Sequence, residues 1–135
     1  MAEKVCNLVK NSGGVQYSTS EEVVGTWYNG KPIYQKTFTG TTPSSGSGTF
    51  PSNSNAVNVS IGARIDEVIS IEGAAAGGSG VVSPANSAVT ANRYFTVWVL
   101  DDTFSTPSMA NTYGVAVGSS VVSVPYQVTI KYTKV

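Results

Sequence analysis

The sequence predicts an all-β fold: an antiparallel β-sandwich, jelly-roll-like, with about seven or eight short strands behind a short N-terminal arm. Three observations carry that expectation. Apolar and polar residues alternate with a period of two in several separate stretches, Val57–Ile61 and Tyr126–Thr133 among them. Spacers rich in Gly, Pro, Asn and Ser divide those stretches. No segment carries the apolar period of an amphipathic helix. A chain of 135 residues suits one domain and can bury a core. The expected division is an arm over residues 1–14 and a single β-sandwich domain over residues 15–135.

In the arm, Val5, Leu8 and Val9 are the apolar anchors, and Ser12-Gly13-Gly14 is a loose joint. Val15–Tyr17 reads as a short strand. Ser18 and Thr19 stand three before Glu21 and Glu22, a capping-box spacing that predicts one helical turn ending at Gly25. Asn29-Gly30 is a two-residue hairpin signal, and Ile33–Thr39 is the return strand. Pro32 lacks a ladder donor and predicts a start at a sheet edge. Gly40–Asn55 has loop composition, with Phe50 placed to pin it to the core.

Val57, Val59 and Ile61 form one face of the next strand, and Ile65, Ile69 and Ile71 one face of the strand after it. Gly73–Gly80 reads as a turn region, and Val81–Thr90 as irregular. Arg93–Leu100 is apolar on both faces, with Tyr94, Trp98 and Leu100 on one side and Phe95, Val97 and Val99 on the other. Such a strand is either central in a two-layer core or meets another subunit with its outer face. Trp98 reads as a core residue. Tyr113, Val115 and Val117 share one face of the following strand. In the last strand Tyr126, Val128, Ile130 and Tyr132 alternate with Gln127, Thr129, Lys131 and Thr133.

Composition excludes several classes of function. Eight basic residues balance eight acidic ones, and charged residues are 12% of the chain, about half the usual ~25%. No basic field exists to hold nucleic acid, and no polybasic patch or apolar run of membrane-spanning length is present. There is one cysteine, Cys6, and no histidine. That rules out an intrachain disulfide, removes the imidazole base of Ser-His-Asp and Cys-His chemistry, and removes nearly every transition-metal site. The N-terminus has no secretory h-region, so the expected place of synthesis is a cytoplasm. No catalytic residues and no cofactor are expected.

Carboxylates supply no site. Asp66 and Glu67 are consecutive in a strand and should face opposite sides, Arg64 should pair near Asp66, and Asp101-Asp102 reads as a solvated Asx-type turn. The aromatic residues are more informative. Trp27 and Tyr28 flank the hairpin tip and suit either core filling or contact with a glycan or protein partner.

The stretch Tyr17–Phe38, YSTSEEVVGTWYNGKPIYQKTF, resembles the YSTEE…GxWxxGKPxYxKT motif of tail-fibre and minor structural proteins of tailed bacteriophages. Val57–Gly73, VNVSIGARIDEVISIEG, is similar to that family's I-x-x-I-D-x-I-I-S-I-x-G segment. Arg93–Val99 looks like its aromatic strand, and Val128–Lys134 resembles its closing strand. The likeness runs from Tyr17 to the C-terminus. The histidine that the family often carries before the Ile-Asp segment is replaced by Val59-Ser60, so its role is not carried over.

The resemblance implies a non-enzymatic virion module, often a homotrimer, that works as a small fibre or surface appendage. An own Met1 and a 14-residue arm point to the head-fibre or decoration type. On this expectation Val5, Leu8 and Val9 attach the arm to capsid, portal or tail proteins, and the chain ends in the virion. The alternative is a carbohydrate-binding receptor-recognition module whose contacts are Trp27, Tyr28, Asp101 and Asp102. Neither expectation involves nucleic acid or membrane insertion.

Overall fold

The computed structural model describes residues 17–46, 56–77, 80–82 and 93–135. The arm with Val5, Leu8 and Val9, the strand start at Val15, Phe50 and the stretch from Ser83 to Asn92 lie outside these residues. The strands are β1 (Glu22–Thr26), β2 (Pro32–Thr41), β3 (Val57–Ser60), β4 (Ile65–Gly77), β5 (Gly80–Val82), β6 (Phe95–Leu100), β7 (Thr112–Val117) and β8 (Pro125–Lys134). They form two antiparallel sheets, in the orders β1-β2-β8-β4-β5 and β3-β7-β6. The expected β-sandwich is the fold found. Its pairings nest, β2 with β8 and β3 with β7, while β2, β3 and β4 alternate between sheets. That nesting is jelly-roll-like, with five strands in one sheet and three in the other.

The period of two places the core. Tyr126, Val128, Ile130 and Tyr132 of β8 are buried against Tyr113, Val115 and Val117 of β7, with Phe95 and Ile65 filling the same cluster. Tyr113 Oη and Tyr126 Oη share a buried hydrogen bond of 2.8 Å. Burial, reinforced by that bond, raises the Tyr113 phenol far above its ordinary range, so it stays neutral.

Five expectations need correction. The helical turn over Ser18–Gly25 is instead β1, paired with β2. The Glu21 carboxylate does not cap a helix; it accepts from Tyr132 Oη at 2.6 Å and pairs with Lys134. With the cap spent elsewhere, β-branched Val23 and Val24 take the extended backbone they favour.

The hairpin forms at Asn29-Gly30, but with a three-residue loop. Gly30 N donates to Trp27 O at 2.9 Å and Trp27 N donates to Lys31 O at 2.7 Å. Within this loop only Gly30 has a positive φ, +87°. This is a type I turn closed by a G1 bulge rather than a two-residue I′ turn.

Nor does Pro32 mark an edge: β1 is the edge, and β2 lies between β1 and β8. Proline is tolerated because it is the first residue of β2, and pairing with β8 begins only at Tyr34. Residues 73–77 are strand, not turn. A Cβ on Gly73 would fall inside the Gln127 carbonyl, and Ala75 is completely buried. The small residues therefore mark close approach of two backbones.

The last correction concerns Trp98 of β6, the strand that ends the three-stranded sheet. Phe95, Val97 and Val99 share one face as expected, and that face is the one packed on the core. Trp98 lies on the outer face, across Gly114 of β7.

Candidate functional site

One end of the sandwich gathers the hairpin tip at residues 27–31, the β3–β4 turn, the β6–β7 loop and the end of β8. Residues Arg64–Glu67, where β4 begins, tie these parts together. Lys31 Nζ, on the hairpin, donates to Asp66 Oδ2 at 2.7 Å and to the Lys134 carbonyl at 3.1 Å. Trp27 Nε1 donates to Glu67 Oε2 at 3.3 Å. On the other side Arg64 binds both carboxylate oxygens of Asp102, at 3.2 and 2.9 Å, and Asp102 N donates to Ile65 O at 3.0 Å.

Asp66 and Glu67 thus reach the same hairpin, against the expectation of opposite faces. The β4–β8 register shifts between Ile65 and Val68, a bulge that breaks strict alternation. Two successive acids at the start of the strand were the available sign. The Arg64 partner is Asp102, not Asp66. Asp101 makes the expected Asx turn, its Oδ1 accepting from Thr103 N at 2.9 Å and Thr103 Oγ1 at 2.6 Å. The Arg64 guanidinium, with Asn111 Nδ2, holds the Asp102 carboxyl below its ordinary value.

Three of the four expected contact residues are therefore held by neighbours within the chain: Trp27, Asp101 and Asp102. Tyr28 is presented outward, 82% exposed, at the tip of a hairpin fixed at its base. Its ring meets the Trp27 ring edge to face, with centroids 5.3 Å apart. Asn29 Oδ1 accepts from Lys31 N at 3.1 Å and stiffens the loop with Gly30.

Residues not expected from the sequence complete the network. Lys134 lies over the Tyr34 ring, 4.3 Å from its centroid, while pairing with Glu21. Tyr34 stacks on Tyr132. Burial alone would raise the Glu21 carboxyl; hydrogen bonds from Lys134 and Tyr132, with the charges of Lys134 and Lys36, outweigh it and hold the group below its ordinary value. Because the folded pKa is depressed, the stabilisation is present above the unfolded pKa and is lost as pH falls through the folded one. Glu21→Gln should lower stability by about 0.5–1 kcal/mol at neutral pH. It should also flatten part of the acid-side fall in thermal midpoint. A midpoint-against-pH curve with the parent's slope would show that Glu21 is not part of the latch.

Among the described residues no cluster of three or more His, Cys, Asp or Glu is placed to hold a metal ion, and no helix is long and apolar enough to cross a membrane. The bonds described above fasten the hairpin, the start of β4, the β6–β7 loop and the end of β8 to one another. Comparisons with known proteins add no relative. No family model, curated protein or solved structure matches the chain.

Proposed function

We propose that the chain is a non-enzymatic virion structural protein of a tailed bacteriophage, a small fibre or surface appendage displayed as a homotrimer and attached through residues 1–14. One observation carries the reading. The segments that resemble the phage module are far apart in sequence, yet three of them meet in a single network. Glu21, Trp27 and Lys31 of the first join Asp66 and Glu67 of the second and Tyr132 and Lys134 of the third. Segments whose side chains lock a hairpin onto a sheet suit a structural module.

The exterior supports the same reading. Low charge and a surface of Ser, Thr, Gly and Asn suit a subunit packed among copies of itself. Light scattering on the eluted protein should give three times the chain mass. A strict monomer across the concentration range would contradict trimeric display. Deleting residues 1–14 should leave the domain folded and remove it from particles; continued incorporation would show that Val5, Leu8 and Val9 are not the anchor.

A further inference from the structure

We propose that the outer face of the three-stranded sheet holds a binding site for a neutral saccharide, at the groove of about 420 Å³ lined by Ala56, Asn58, Trp98, Leu100, Phe104 and Met109. The volume falls within the ordinary range of small-ligand sites.

Its floor is built by a glycine. Trp98 and Gly114 are direct partners across β6 and β7. A Cβ on Gly114 would overlap the Trp98 ring at Cε2, Cζ2 and Nε1, so the indole lies flat on bare backbone. The close fit on Gly114 holds the ring in place, and Trp98 lines the groove. A fixed indole face suits the C–H faces of a pyranose ring, with little conformational entropy left to lose.

The rim is also fixed. Phe104 and Met109, 36% and 37% exposed, stand on the β6–β7 loop. Met109 N donates to Thr106 O at 2.9 Å, and the Met109 carbonyl accepts from Thr112 Oγ1 at 2.7 Å. That last bond orients the polar group of the site. Thr112 gives its hydroxyl proton to Met109 O, so toward Asn58 it acts as acceptor, from Asn58 Nδ2 at 3.3 Å. The Asn58 carboxamide is thus turned with its oxygen away from Thr112, an acceptor with two lone pairs on an exposed edge strand.

The chemistry of the lining selects the class of ligand. None of these six side chains carries a charge, so none would pair with an ionic ligand, and a neutral one suits them. A lipid or apolar peptide would leave the oriented carboxamide beside it unused, whereas a sugar hydroxyl satisfies it while the ring stacks on Trp98. The site is separate from the hairpin tip.

The test is titration of the full chain with neutral oligosaccharides of hexose and of N-acetylhexosamine units, read by indole fluorescence and calorimetry. Saturable binding is expected with one of them. Asn58→Ala and Phe104→Ala should each weaken it by about tenfold or more with the thermal midpoint unchanged, and Tyr28→Ala should leave it intact. Trp98→Phe keeps a ring on Gly114 and should weaken binding less than Trp98→Ala. Binding to no neutral saccharide, or binding indifferent to Asn58 and Phe104, overturns the proposal. So does concentration-dependent self-association abolished by Phe104→Ala, which would mean that a second copy covers the groove. Loss of binding in Tyr28→Ala alone would place the glycan at the hairpin tip instead.

Discussion

Gly73→Ala is expected to destabilise the protein by about 3 kcal/mol or more, enough to unfold most molecules of a marginally stable domain. The added Cβ would overlap the Gln127 carbonyl oxygen and press on Val128 Cα, which are backbone atoms of β8. Backbone cannot swing aside as a side chain can. β8 is held on its other side by β2, so β4 would have to move and its ladder from Ile71 to Ala75 would open. Gly62→Ala is the control. Gly62 has φ +84°, and its Cβ would meet only the end of Lys36, so the cost there is backbone strain of about 1–2 kcal/mol. Chemical denaturation at constant slope distinguishes the two. Equal losses at both positions would show that β4 and β8 are not this close at Gly73.

Asn111→Ala is expected to cost about 3 kcal/mol, and Asn111→Gly about 1 kcal/mol less. Asn111 joins four segments at the site end of the sandwich. Its N donates to Leu100 O at 2.7 Å, and its carbonyl accepts from Ile61 N at 3.0 Å. Oδ1 accepts from Ile65 N at 2.8 Å, and Nδ2 donates to Asp102 at 3.0 Å. Its φ is +61°, left-handed, where asparagine is tolerated and other side chains are strained. Alanine loses both side-chain bonds and adds the strain. Glycine loses the bonds but accepts the angle. The difference between the two variants therefore measures the backbone part, and the glycine loss the two side-chain bonds, to the Ile65 amide and to Asp102. If the two variants have the same midpoint, the left-handed angle is not a feature of the folded chain.

The alternation of Tyr126–Thr133 and of Tyr113–Val117 was sufficient to place the core, because period two decides which side is buried wherever a strand runs straight. Where strands bulge, that signal fails. Asp66 and Glu67 act on one hairpin because a register shift lies beside them. Residues 73–77 looked like a turn because glycine and alanine serve close backbone approach as readily as flexibility, and sequence does not separate the two. Trp98 was misplaced because a tryptophan lying flat on the outside of a sheet requires a glycine opposite, a pairing visible only once β6 and β7 are in register. The latch of Glu21, Lys31, Tyr132 and Lys134 was illegible for a related reason. Its members are brought together by the pairing of β2, β8 and β4, not by local spacing.

The proposed role stands most directly on where the protein is found. On the proposed role, antibody raised against the β-domain should label the surface of purified phage particles, and the chain should be present in those particles at a multiple of three copies. A chain found only in the soluble lysate, with particles unlabelled, would contradict a virion structural role.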